Sequence, residues 1–256
     1  MFDPILLPDR GVLAITGADA RRLLQDLITA NMAKLTPQAP VYGGLLTPQG
    51  KFLFDFIIHA DGEGFLFDMA RSQIAGFVKR MTLYKLRSDM TLTPRDDLGV
   101  QIGTGAPDPR HADLPPRALV PVGEAGDPGA YHRLRITLGI PESGDFTPDG
   151  TFWLETGAER MGGVDFKKGC YVGQEQTARM KHRGTVKKGY RPFRITEGHV
   201  SAGAEIEGSR PLGPVTSIQD DLALGFVRLG PFAESESFKT KEAMLEPLPL
   251  DTGGLP

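Results

Sequence analysis

Hydrophobic and polar positions divide the chain into stretches of different period. Val12-Leu13-Ala14-Ile15 is a short apolar run that predicts a strand, after which Leu23, Leu24, Leu27 and Ile28 recur at helical spacing. Thr16-Gly17-Ala18-Asp19 has the spacing of a capping box with Thr16 as N-cap, so a first amphipathic helix is expected to run to about Asn31. Pro37 and Pro40 close that unit. Residues 41–69 then alternate as a β-meander. Phe52, Phe54, Phe56 and Ile58 face one way, Leu53, Asp55 and Ile57 the other, and tight turns fall at Thr47-Pro48-Gln49-Gly50 and Asp61-Gly62-Glu63-Gly64. Ile74, Phe77, Val78 and Met81 predict a second helix from about Ala70 to Tyr84.

Residues 103–130 are rich in Gly and Pro and read as a surface excursion between packed elements. A short helix follows from Tyr131 to Ile140, ended by Gly139 and Pro141. From Gly184 the texture becomes short alternating strands: Arg191–Ile195, Ala204–Ile206, Val215–Ile218 and Ala223–Leu229. These predict a small β-barrel or sandwich. The organisation expected is a core over 1–184, a β-domain over 185–245 and a frayed tail over 246–256, with no internal repeat.

Composition sharpens this picture by exclusion. Gly (32) and Pro (21) are about a fifth of the 256 residues, well above average, which fits many turns and short strands and excludes a coiled coil. No apolar run approaches the ~18 residues of a membrane span. The start, Met1-Phe2-Asp3-Pro4, lacks the basic and apolar regions of a secretory signal. One cysteine, Cys170, can neither close an internal disulfide nor hold an iron–sulfur cluster alone. The five histidines are never closer than 17 positions, so there is no short metal-ligand motif and no metal site is expected. A soluble protein of a reducing compartment, the cytoplasm, is the expectation.

The net charge of −3 hides a polarised distribution. Between Arg160 and Arg194 ten Lys or Arg face only Asp165 and Glu175, a local net charge of +8. Such an excess marks either a solvated basic face or a site for an anion: phosphate, nucleic acid or polycarboxylate. Five residues of this window, Gly169, Cys170, Gly173, Gly184 and Gly189, are types a plain solvated helix avoids, which favours the second reading.

Within the window, Gly162 to Glu175 has the character of a loop entering a helix, with Gly169 permitting an unusual backbone. Lys167 and Lys168 immediately precede Cys170 and would favour its thiolate. On these grounds Cys170 is equally a reactive or ligand-forming thiol and a small buried residue beside a turn.

Lys168-Gly169-Cys170-Tyr171-Val172-Gly173-Gln174-Glu175 resembles the K-G-C-Y/F-x-G-Q-E signature of the YgfZ-type folate-binding proteins, relatives of the glycine-cleavage aminomethyltransferase. Flanking segments agree, and the resemblance spans roughly residues 11–95 and 131–230. It implies an α+β fold: an aminomethyltransferase-like folate-binding core of two intertwined subdomains, with a C-terminal β-barrel.

The resemblance also implies tetrahydrofolate or a derivative, and partners in iron–sulfur cluster assembly or repair. Glu155 stands where relatives place an acidic residue upstream of the signature and is therefore the residue expected to meet the pterin, whose paired N–H groups a carboxylate can accept. Tyr131, Tyr84 or Trp153 would stack on the ligand, with core packing the stronger reading for Trp153 and Tyr84. Lys168, Gly169, Tyr171, Gly173, Gln174 and Glu175 of the signature would line the site. Arg179, Lys181 and Arg183 would receive the polyanionic glutamate tail. The transferases carry two adjacent acids in the early strand, whereas here Phe54-Asp55 leaves only Asp55, and the Asn-Leu-Asp sequence common before the signature is replaced by Gly157-Ala158-Glu159. An accessory factor using the Cys170 thiol is therefore preferred. One-carbon transfer through Asp55 comes second, and binding of tRNA by the basic window with Tyr171, Tyr190 and Phe193 third.

Overall fold

A computed structural model describes residues 3–250. In chain order the elements are β1 (Ile5–Leu6), β2 (Arg10–Thr16), α1 (Ala20–Leu27), β3 (Val41–Leu46), β4 (Phe52–Asp61), β5 (Gly64–Ala70) and α2 (Ile74–Lys85). Next come β6 (Thr91–Pro94), β7 (Leu98–Ala106), β8 (Arg117–Pro121), α3 (Gly129–Thr137) and α4 (Gln174–Arg183). The last part holds β9 (Lys188–Gly198), β10 (Glu205–Glu207), β11 (Pro211–Gln219), β12 (Leu222–Arg228), α5 (Leu229–Ala233), β13 (Phe238–Lys239) and β14 (Ala243–Pro247).

Three sheets organise these elements. A five-stranded antiparallel sheet has the order β3-β4-β5-β2-β6, a three-stranded sheet the order β1-β7-β8, and β10-β11-β12-β9-β14-β13 close into a barrel. β1 and β2 are consecutive but lie in different sheets, as do β6 and β7, so the chain crosses twice between the first two sheets. That is the intertwining the resemblance implied, and the barrel is the predicted C-terminal β-domain.

Apolar period explains the layers. Leu13 and Ile15 of β2, Phe56 and Ile58 of β4, and Phe65 and Phe67 of β5 form one core with Leu24 of α1 and Phe77 and Met81 of α2. A second core joins Tyr42, Phe52, Tyr131, Ile136, Trp153 and Met161 to Tyr190 and Leu224 of the barrel. The barrel has its own interior of Phe193, Ile206, Val215, Val227, Phe238 and Leu245. Phe52 departs from the expected alternation. A bulge lets β4 advance from Phe52 to Phe54 while β3 advances only from Leu46 to Leu45, and Phe52 joins Trp153 and Phe146 in the second core.

Four other expectations are corrected. Thr16 is the last residue of β2 rather than an N-cap, because Gly17 (φ +116°) turns the chain and α1 starts from Asp19. α1 ends at Leu27, four residues short of Asn31. The Pro/Gly-rich stretch 103–130 is no surface excursion: it contains part of β7 and all of β8 and buries Asp108, Arg110 and Arg117. Finally, β14 runs through Pro247 and the Leu248 amide donates to the Pro192 carbonyl (2.9 Å), so the expected tail begins as barrel strand; its residues 251–256 lie outside the described part. No helix among the described residues is long and apolar enough to cross a membrane.

Candidate functional site

The segment from Gly163 to Gly173 is fastened to the first core layer by residues far away in sequence. The Gly163 carbonyl accepts from Thr29 Oγ1 (2.6 Å) and Trp153 Nε1 (3.0 Å), while the Thr29 hydroxyl also accepts from the Gly44 amide (2.8 Å). Gly163 is required by close approach, since a Cβ there would stand 2.9 Å from the Tyr42 ring and 3.1 Å from Trp153. Two residues on, Asp165 accepts from Asn31 Nδ2 (3.0 Å), Lys34 Nζ (2.9 Å) and the Lys167 amide (2.8 Å). Partial burial opposes ionisation, but these donors win and hold the Asp165 carboxyl at about 2.

Lys168 is the principal clamp. Its ammonium donates to the carbonyl oxygens of Gln25, Ile28 and Ala30, where α1 ends and leaves carbonyls without helical partners. Burial pulls the amine down to about 8, with Asp165 and Asp26 working the other way. Lys168 is thus a structural anchor, and its expected place in a ligand site and beside the thiol is corrected: the ammonium is spent on the end of α1. Tyr171 is buried next to it, with the Lys168 Nζ 5.3 Å from its ring centroid, and burial raises its phenol to about 12.

Between these anchors the chain surfaces. Gly169 and Cys170 are both exposed, which resolves the two readings of the cysteine in favour of an accessible thiol. Gly169 has open space around it and an ordinary φ; Gly173 is the conformationally demanding glycine instead, at φ +84°, where a Cβ would meet the Thr47 carbonyl at 2.6 Å. Gly173 seats the start of α4 on the Thr47–Gly50 turn, itself closed by the Gly50 amide on the Thr47 carbonyl (2.9 Å). Gln174 is the half-buried first residue of α4, and Glu175, in its first turn, is exposed. Arg179, Lys181 and Arg183 are exposed further along α4. Lys181 pairs with Glu159, while Arg179 and Arg183 have no ion-pair partner among the described residues.

Asp55 lies elsewhere, in a buried polar network. It accepts from Ser143 Oγ and from Tyr42 OH (3.1 Å), is 1% exposed, and burial raises its carboxyl. Around it, Arg10 bonds Asp68 (2.6 Å), Arg117 bonds Asp68 (2.8 Å) and Asp108 (2.6 Å), and Arg110 bonds Asp108 (2.8 Å) and Glu142 (3.0 Å). Tyr131 OH donates to Glu142 and accepts from Arg117 and Arg110. Arg135 extends the network to Asp145 (3.0 Å) and to Ser217 of the barrel (2.8 Å). Tyr131 is fully buried here, so its expected stacking on a ligand is corrected. Trp153 is a core residue, as its preferred reading had it. This network joins both sheets, α3 and the barrel, and sequence reasoning missed it. Its one signal was Arg10, Asp55 and Asp68 standing singly in apolar strands, where a charge requires a partner.

Glu155 faces a different space. It lines a cavity of about 360 Å³ together with Arg160, Lys188, Tyr190, Arg191, Val186 and Leu229. Burial raises its carboxyl, with Lys188 acting in the opposite direction. Arg191 is half-buried at the same cavity, stacked over Phe232 (5.5 Å) and donating to the Tyr190 carbonyl (2.8 Å). An acceptor and three cations beside apolar walls suit a flat heterocycle with N–H donors and a carboxylate. None of the signature residues 168–175 lines this cavity.

No family model matches the sequence. Comparison with solved structures finds the glycine cleavage system aminomethyltransferase T of Bartonella henselae, at a TM-score of 0.77 over 97% of this chain and 85% of that one. At 14% identity this likeness establishes the fold: an aminomethyltransferase-like core with a closed C-terminal barrel. Among curated proteins, the mitochondrial iron–sulfur cluster assembly factor IBA57 homologue of Neurospora crassa is 34% identical over 224 residues, covering 71% of this chain. That match spans about half, 51%, of the fungal protein. The mitochondrial IBA57 homologue of Mycosarcoma maydis is 32% identical over 274 residues, covering 93% of this chain and 67% of the relative. Both relatives are named as mitochondrial, which overturns the cytoplasmic location expected from composition. The chain belongs to the IBA57 family of iron–sulfur cluster assembly factors.

Proposed function

We propose that this chain acts in the assembly or repair of iron–sulfur proteins by presenting the Cys170 thiol to a partner, and that it binds tetrahydrofolate or a derivative. The carrying observation is the exposure of Cys170 on a segment held on both sides, by Lys168 on the end of α1 and by Gly173 on the Thr47–Gly50 turn. A thiol on such a support meets a partner in one orientation without ordering a loop first. One thiolate is too few for a cluster, so the cluster is cargo shared with the partner or with a second copy, each supplying the remaining ligands.

Glu155, Lys188 and Arg191 are the residues suited to folate: the carboxylate for the pterin N–H groups, the cations for the glutamate end. Arg179 and Arg183, exposed on α4 and without an ion-pair partner among the described residues, are further cations for the polyanionic tail. Folate there would supply a one-carbon unit or a reducing pterin. Glu155 would hold the ring, and the apolar walls would exclude water.

Aminomethyl transfer is the second reading. It needs Asp55 at the substrate, yet Asp55 is engaged by Ser143 and Tyr42 inside the buried network. Nucleic-acid binding has weaker support still, because Tyr171, Tyr190 and Phe193 are buried and present no face for base stacking.

Anaerobic calorimetric titration of the reduced protein with tetrahydrofolate, beside Glu155→Gln, tests the ligand. Saturable binding weakened about ten-fold or more by the substitution is expected. Absence of binding by the folded protein would contradict it.

A further inference from the structure

The far end of α2 carries a surface that neither the folate reading nor the thiol uses. From Met69 to Ser88 the chain has five Lys or Arg (71, 79, 80, 85 and 87) and no Asp or Glu. α2 turns Phe77 and Met81 into the core and leaves Lys79, Arg80 and Leu83 in solvent. Residues 79, 80 and 83 share one face of the helix, at spacings of three and four. Just past the last turn come Leu86 and Arg87, also exposed. Leu83 is 64% exposed and Leu86 83%, the two most exposed large apolar side chains among the described residues.

Leu86 is also held in a costly backbone conformation, φ +46° and ψ −106°. A leucine there is strained and persists only where its surroundings over-determine it. They do. The Ser88 amide bonds the Lys85 carbonyl (2.7 Å), Lys85 Nζ bonds the Met90 carbonyl (2.7 Å), and Asp19 and Asp89 exchange backbone and side-chain bonds (3.0 and 2.9 Å). Asp19 pairs with Arg22 and the Asp89 carboxylate accepts from the Ala18 amide, and among the described residues neither acid forms an ion pair with Arg80 or Arg87. A shallow cleft of about 680 Å³ opens beside Leu86, bounded by Asp19, Arg87 and Ser88.

We propose that this face docks an acidic protein segment carrying apolar anchor residues. Charge complementarity selects that occupant. A second copy of the chain would set one basic face against another. A nucleic acid would satisfy Arg80 and Arg87 but leave the two leucines without an apolar counterpart. Two leucines also give a bilayer too little apolar surface to hold, because the helix's other large apolar side chains, Phe77 and Met81, are turned into the core and Ile74 and Val78 are half-buried. An acidic amphipathic segment meets both demands, an anchor against Leu83 and Leu86 and carboxylates against Lys79, Arg80 and Arg87.

The surface is distinct from the thiol. The Asp19–Asp89 contact lies at the start of α1, and Lys168 clamps the carbonyls at its end. Eight helical residues separate the two, about 12 Å at ~1.5 Å per residue.

The test uses the full chain and fluorescent 16-residue peptides built as amphipathic helices, with Glu or Asp at polar positions and Leu, Phe or Met at apolar ones. Saturable binding by acidic peptides is expected, with hydrogen-exchange protection over residues 79–88. It should weaken at least ten-fold in Arg80→Glu/Arg87→Glu and in Leu86→Gly, and stay unchanged in Cys170→Ala. Leu86→Gly also relieves the backbone, so its thermal stability is expected to be no lower than the parent's, which separates lost docking from misfolding. Failure of every acidic peptide to bind, binding indifferent to those variants, or equal binding of peptides with Lys in place of Glu would overturn the proposal. So would saturable binding to phosphatidylglycerol vesicles or to a single-stranded RNA 20-mer that displaces the peptide.

Discussion

Lys168 donates its ammonium to the carbonyl of Ile28 across 140 positions of sequence, tying the Cys170 segment to the end of α1. The same amine reaches Gln25 and Ala30, so one side chain satisfies two carbonyls that the end of α1 leaves open and a third in the loop just beyond it. The Cys170 segment therefore inherits the rigidity of the first core layer. Lys168→Met is expected to cost about 2–3 kcal/mol in urea unfolding, since it strands three buried acceptors that had a charged donor. Amide exchange should rise across residues 165–172 in the same variant. Unchanged exchange there would mean that the segment holds itself.

Asp165 gives a pH signature. Its folded value, about 2, lies below that of a free carboxylate near 3.9. The stabilisation is therefore complete above pH ~4 and is lost as pH falls through 2. Discounted for solvent screening, it amounts to about 1 kcal/mol. Asp165→Asn should lower stability by that amount at neutral pH and flatten the acid limb of the stability curve between pH 4 and 2. An identical pH profile in the variant would refute the ionic role.

Arg117 bridges Asp68, Asp108 and Tyr131 at the centre of the buried network. Burial alone would raise both carboxyls, but Arg10 and Arg117 keep Asp68 low, and Arg110 and Arg117 keep Asp108 low. Arg117→Met leaves two buried carboxylates underpaired and should cost about 3–5 kcal/mol by urea unfolding. Arg117→Lys is expected to rescue little of it, because one ammonium cannot reproduce the fork that serves three partners. A double substitution that removes both Arg117 and Asp108 with apolar residues should cost less than the sum of the singles, read as a coupling energy in a double-mutant cycle.

What the sequence disclosed followed the strength of local signals. The helical spacing of Leu24 to Ile28, the turn at Thr47–Gly50 and the short strands after Gly184 each impose their element locally, and the structure has all of them. The signature drew attention to residues 168–175 and implied a ligand site at Lys168 and Gly169, whereas the Lys168 ammonium is bound to the end of α1 and the glycine held at positive φ is Gly173. A side chain's target 140 residues away has no local signature. The buried network was hidden for the same reason, with its Asp108, Arg110 and Arg117 in the Gly/Pro-rich stretch read as a surface excursion. The bulge that sends Phe52 to the second core was invisible because alternation by itself is register-blind. Location, too, was read from composition, and the mitochondrial relatives reversed it.

The central claim is that the exposed Cys170 thiol serves cluster assembly. The most direct measurement is anaerobic transfer of iron and sulfide from a cluster-loaded assembly partner to an apo [4Fe–4S] acceptor, followed by acceptor activity, with wild-type protein and with Cys170→Ala. Matched urea unfolding curves would establish that both are folded, as the exposed position requires. Stimulation of transfer by the wild type and its loss in Cys170→Ala is the predicted result. Equal stimulation by both proteins would contradict a role for the thiol.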